Sequence, residues 1–147
     1  MDLIDRLLQD MIVAMKAKDE DRLRIIRLLR SNIRKAEIDS RKEFTDEDVI
    51  GVLMSSAKQH QDSIQAYRNG GRADLVALEE AELVVIRTYL PQALTTAELI
   101  LVVTEVIAET GATNIKDLGR VMSLVMAKVK GRTTGSEVQI IVRSKLT

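Results

Sequence analysis

One proline and seven glycines in 147 residues leave this chain few places to turn. A β-sandwich or barrel needs a turn roughly every 8–12 residues, so a many-stranded β fold is excluded. Apolar residues recur instead at helical spacing almost everywhere. The chain is long enough for one ordinary domain or two small ones. Its aromatics are Phe44, Tyr67 and Tyr89, with no tryptophan, so any core must be aliphatic.

The helices can be placed from caps and stripes. Asp2 starts one that runs to about residue 18, with Leu3, Leu7, Leu8, Met11, Ile12 and Met15 on a face. Asp19–Asp21 opens a second, to about residue 39, striped by Ile25, Ile26, Leu29, Ile33 and Ala36. Thr45 with Asp48 forms a capping box for a third. Its stripe reads Val49, Leu53, Ala57, His60, Ile64 and Tyr67 before Asn69-Gly70-Gly71 ends it. A fourth covers about 74–89. Pro91 then forbids continuation, and Thr95 with Glu98 starts a fifth, over 96–110. Asn114 with Asp117 caps a sixth, Gly131 ends it, and a short seventh runs from about 136 to 145. The reading is all-α: a four-helix N-terminal domain over 1–92 and a three-helix C-terminal domain over 95–147. The fifth helix, with Leu99-Ile100-Leu101-Val102-Val103, is apolar on more than one side. One side is expected to pack within its own domain and the other against the first four helices.

Cysteine is absent, which excludes disulfides, thiolate metal sites and cysteine nucleophiles. The opening MDLIDRLLQD carries acids where a signal peptide carries bases, and no stretch nears the roughly 20 apolar residues of a membrane span. These features lead to the expectation of a soluble cytoplasmic protein. His60, the one histidine, falls on an apolar stripe and reads as a packed, hydrogen-bonded side chain. With one histidine and no cysteine, a zinc site of the usual ligands is not expected. Ser55 and Ser56 lie in mid-helix without a glycine-flanked elbow. Asp46-Glu47-Asp48 complements a helix dipole, and Glu79, Glu80 and Glu82 read as a solvated face. No catalytic residue, metal or cofactor is indicated.

Charge is neutral in sum but uneven along the chain. Residues 22–42 hold eight bases against two acids, and residues 116–147 hold seven against two. Such local basic faces suit a polyanion. Arg27, Arg30 and Arg34, at i, i+3 and i+7, share a helix face, with Glu20–Arg24 and Lys35–Asp39 as expected flanking pairs. The second candidate is the turn Gly131–Ser136. Lys128, Lys130 and Arg132 are expected to converge there beside the N-terminus of the last helix, which favours phosphate. The turn lacks the ending and spacing of a nucleotide-binding loop.

Several segments together carry a family resemblance. They are Lys58-Gln59 through Asp62-Ser63-Ile64 to Tyr67-Arg68-Asn69-Gly70-Gly71-Arg72, then Glu79-Glu80-Ala81-Glu82, then Tyr89-Leu90-Pro91. Asp117-Leu118-Gly119-Arg120-Val121-Met122 and Lys128-Val129-Lys130-Gly131-Arg132 complete the set. In this order they resemble the YqeY-like proteins of the GatB/YqeY superfamily, nearly end to end. The resemblance implies four N-terminal and three C-terminal helices. It also implies that the C-terminal part is similar to the tail of the B subunit of the glutamine-dependent amidotransferase acting on mischarged glutamyl- or aspartyl-tRNA. There the tail helps hold tRNA while separate domains catalyse, and those domains have no counterpart here. After Gly131 this chain departs from the tail pattern, placing Glu137 close to the proposed phosphate. The expectation is a non-catalytic tRNA-binding module. An accessory component of a carbon–nitrogen ligase with glutamine as amide donor, or a protein-binding adaptor, is the alternative. Partners would be tRNA and an amidotransferase or aminoacyl-tRNA synthesis protein.

Overall fold

Side-chain caps set where most of the helices begin. The computed structural model describes residues 2–146, and every regular element among them is helical. Asp2 accepts from the Asp5 amide to start α1 (Leu3–Lys16), and Asp19 accepts from Arg22 to start α2 (Glu20–Ser40). Thr45 and Asp48 satisfy each other's amides in a complete capping box for α3 (Asp46–Asn69). Gly71, at φ +70°, then supplies the left-handed residue that turns the chain into α4 (Ala73–Arg87).

Beyond Pro91, Thr95 caps α5 (Thr96–Thr110) by accepting from the Glu98 amide. The expected box is only half made, since the Glu98 carboxylate takes the Thr95 hydroxyl rather than its amide. Asn114 caps a single 3₁₀ turn, Ile115–Asp117, and α6 (Leu118–Lys128) follows without a side-chain cap of its own. Thr134 starts α7 (Gly135–Lys145), a residue before the start that spacing suggests.

The chain forms two compact units, Met1–Pro91 and Gln92–Thr147. In the first, α3 packs along α4, α1 along α2, and α2 meets both α3 and α4. Leu7, Ile25, Ile26, Leu29, Leu53 and Ile86 are its fully buried large side chains. Fully burying each such side chain stabilises by about 1.5–3 kcal/mol. The stripe assigned to α1 is only half used. Leu7 and Ala14 are buried, while Leu8, Ile12 and Met15 are exposed, because α1 offers one narrow line to its neighbours. In the second unit α6 packs against both α5 and α7. Val103, Val106, Val121, Val125, Val138 and Val142 fill its interior, and Leu101 of α5 stays 65% exposed. Among the described residues no helix is long and apolar enough to cross a membrane.

Candidate functional site

The basic face of α2 follows from the register of its core residues. Ile25, Ile26, Leu29 and Ile33 turn inward, which leaves Arg27 and Arg34 in solvent. Arg30 is half-buried, and its guanidinium donates to the Met11 sulfur at 3.1 Å. Arg30 and Arg34 line a shallow groove between α1 and α2 with Ile4, Leu7, Ile33 and Glu37. Among the described residues neither Arg27, Arg30, Arg34 nor Lys35 has a carboxylate within salt-bridge distance. The expected Lys35–Asp39 pair does not form. Arg24 turns not to Glu20 but to Asp21 at 3.2 Å and Glu82 at 3.3 Å.

The C-terminal bases do not converge. Lys128 reaches Glu109 at 3.3 Å, near the end of α5. Arg132 goes to the other end of that helix, donating to the Gln92 carbonyl at 2.8 Å and standing 3.6 Å from Glu98. Eleven residues of helix separate Glu98 from Glu109, about 16 Å along the axis, so one phosphate cannot bridge both side chains in these positions. Lys130 is exposed on the turn between them. Glu137 sits in the first turn of α7, its carboxylate accepting from the Thr133 hydroxyl. The acid that spacing placed near the proposed phosphate is therefore engaged at that helix start.

A third group was not anticipated. His60 is 7% exposed on α3, as its place in the stripe predicts. Its Nδ1 lies 2.9 Å from the Ser56 carbonyl, and its Nε2 lies 2.9 Å from Glu82 and 3.5 Å from Glu79. Glu79 and Glu82 are thus not a solvated face: their side chains are only 20% and 13% exposed. Of the three glutamates only Glu80 behaves as expected, meeting Arg68 in solvent. The signal was present in the spacing. Glu79 and Glu82 share the register of Leu83 and Ile86, the buried residues of α4. Burial, the strongest influence on the ring, works to discharge it. Hydrogen bonds to Glu82 and Ser56 and the charges of Glu79 and Glu82 outweigh burial, and His60 titrates above its ordinary range. Ser56 offers no nucleophile to this histidine, since the ring holds its carbonyl and Asn32 approaches its hydroxyl.

The sequence model of the family described as Yqey-like protein matches residues 4–146. The chain belongs to the YqeY-like family. Among curated relatives of this YqeY-like chain is "Altered inheritance of mitochondria protein 41, mitochondrial" from Pyrenophora tritici-repentis. It is 31% identical over 140 residues, covering 92% of the chain and 75% of the relative. The protein of the same name from Lachancea thermotolerans is 39% identical over 93 residues, covering 63% of the chain and 50% of the relative. The chain thus spans about half the length of some curated relatives that it matches. Their names overturn the expectation of a cytoplasmic address, since the relatives are described as mitochondrial.

Proposed function

We propose that this YqeY-like chain is a non-catalytic RNA-binding module that holds folded tRNA by its phosphates. The main grip would be the α2 face of the first unit, Met1–Pro91. The observation that carries this reading is the row Arg27, Arg30 and Arg34, spread over about 10 Å of one helix face and lacking any carboxylate partner among the described residues. Guanidinium forks match phosphate geometry, and an arginine not already paired gives up no ion pair to make that contact. Stacking contributes little, because Tyr89 is buried and only Phe44 and Tyr67 remain. The choice of tRNA as the class of RNA rests on the resemblance read from the sequence, which implies a C-terminal part similar to an amidotransferase tail.

Titrating a folded tRNA against the protein at several salt concentrations tests the proposal. About three phosphate contacts predict log affinity falling with log salt at a slope of roughly −2 to −3. Replacing Arg27, Arg30 and Arg34 together with alanine should remove most of that slope. Replacing Lys128 and Arg132 should change it little, because both are engaged within their own unit. Undetectable binding at low salt would defeat the proposal and favour the adaptor reading. So would a slope that survives the α2 triple substitution.

A further inference from the structure

We propose that His60, Glu79 and Glu82 bind one divalent transition-metal ion of zinc's class between α3 and α4. The three side chains each offer one atom, and these atoms lie within 4.8 Å of one another. The Nε2 distances to the glutamate oxygens, 2.9 and 3.5 Å, have the scale that a shared ion imposes. Bonds of about 2.0–2.2 Å at angles between octahedral and tetrahedral set neighbouring ligand atoms about 3–3.6 Å apart. The two glutamate oxygens, within 4.8 Å of each other, would draw together onto the ion.

The hydrogen-bond pattern points independently to a cation. The Ser56 carbonyl can only accept, so the proton of the neutral ring must sit on Nδ1. That leaves a bare lone pair on Nε2, facing two carboxylates that also only accept. Such a meeting of acceptors in a mostly buried place is resolved only by a second proton or by a metal ion. Donation from Nδ1 to a backbone carbonyl is also the outer contact that commonly orients a metal-bound histidine.

Charge and surroundings agree. Two carboxylates and a neutral imidazole balance a divalent ion. Arg24 holds the other oxygen of Glu82 at 3.3 and 3.4 Å, fixing that carboxylate from outside and leaving Oε2 for the ion. A nitrogen and carboxylate donor set suits zinc, manganese or iron, and an imidazole ligand disfavours magnesium and calcium. Partial exposure of both glutamates gives an ion a way in, and three protein ligands leave a position for water.

Untagged full-length protein, stripped with a chelator and titrated with zinc and then cobalt by calorimetry and visible absorption, tests the site. With one histidine and no cysteine in the chain, competing nitrogen and sulfur sites are few. The expected result is one equivalent bound with micromolar affinity or tighter. Cobalt should give a visible spectrum that His60→Gln abolishes. Glu79→Gln, which alters the looser contact and leaves the His60–Glu82 bond in place, should weaken binding at least tenfold without unfolding the protein. Arg24→Ala should weaken it by about 10–100-fold, as loss of outer support does elsewhere. Millimolar or absent binding by the wild type would overturn the inference, leaving a histidinium paired to two glutamates. Binding unchanged in Glu79→Gln and His60→Gln would overturn it equally.

Discussion

Tyr89 and its neighbour Thr88, just past the end of α4, are joined to α1 through three different contacts. Its hydroxyl donates to Asp10, the Arg6 guanidinium lies 4.6 Å from its ring centre, and Arg6 also donates to the Thr88 carbonyl. Burial, joined by the hydrogen bond and charge of Asp10, pushes the Tyr89 phenol up to about 12, while Arg22 and Arg6 oppose the rise. The folded state therefore holds the phenolic proton more tightly than the unfolded chain does. The stabilisation is fully present below the ordinary tyrosine range near 10 and is lost as pH climbs through the folded value. Tyr89→Phe should cost about 1–2 kcal/mol at neutral pH, read as a urea midpoint. Its stability should also fall less steeply than the wild type's between pH 10 and 12; parallel curves would mean that Asp10 does not hold the phenol. At this scale the sequence was only partly legible. The burial of His60 could be read from its stripe. The inward turn of Glu79 and Glu82 was obscured by Glu80, because three acids in four positions look like a wet surface unless their register with Leu83 and Ile86 is checked.

Helix ends were legible because they obey local chemistry. Asp2, Asp19, Thr45 and Thr95 each cap the helix that spacing assigned to them. Thr134 was missed because Gly135, a poor helix former, sits just inside the start. The glycines separate two physical roles at this scale. Gly111 lies at φ +66° with open space where a Cβ would point, so Gly111→Ala should cost about 1 kcal/mol through backbone strain alone. Gly51 lies inside α3 with equally open space and an ordinary helical backbone. Gly51→Ala should stabilise by about 0.5–1 kcal/mol. Thermal melts of the two variants should move in opposite directions, and a shared sign would refute the assignment. The wide apolar stripe of α1 shows where pattern fails: a helix can carry more apolar surface than its neighbours can cover.

At the scale of the whole chain, Pro91 marks the break between the units, because no helix can run through it. The finer boundary differs: the sequence reading ends the first domain at Gln92, while the compact units divide between Pro91 and Gln92. Arg132 decides it. Its side chain takes the Gln92 carbonyl, and its own carbonyl accepts from the Leu94 amide at 3.0 Å. A fragment beginning at Gln92 should therefore melt at a higher temperature than one beginning at Thr95, and Arg132→Ala, which removes the bond to Gln92 but keeps the backbone bond to Leu94, should narrow the difference. Equal melting of the two fragments would show the contacts to be idle.

Those two bonds also decide how firmly the lead-in to α5 is held to its own unit. Without them the stretch from Pro91 to Thr95 would swing as a flexible leash, each residue adding about 3.5 Å of reach. With Gln92 and Leu94 fastened to Arg132, that lead-in travels with the helices it precedes. Cutting the fastening would free the lead-in while leaving the hydrogen bonds inside every helix intact.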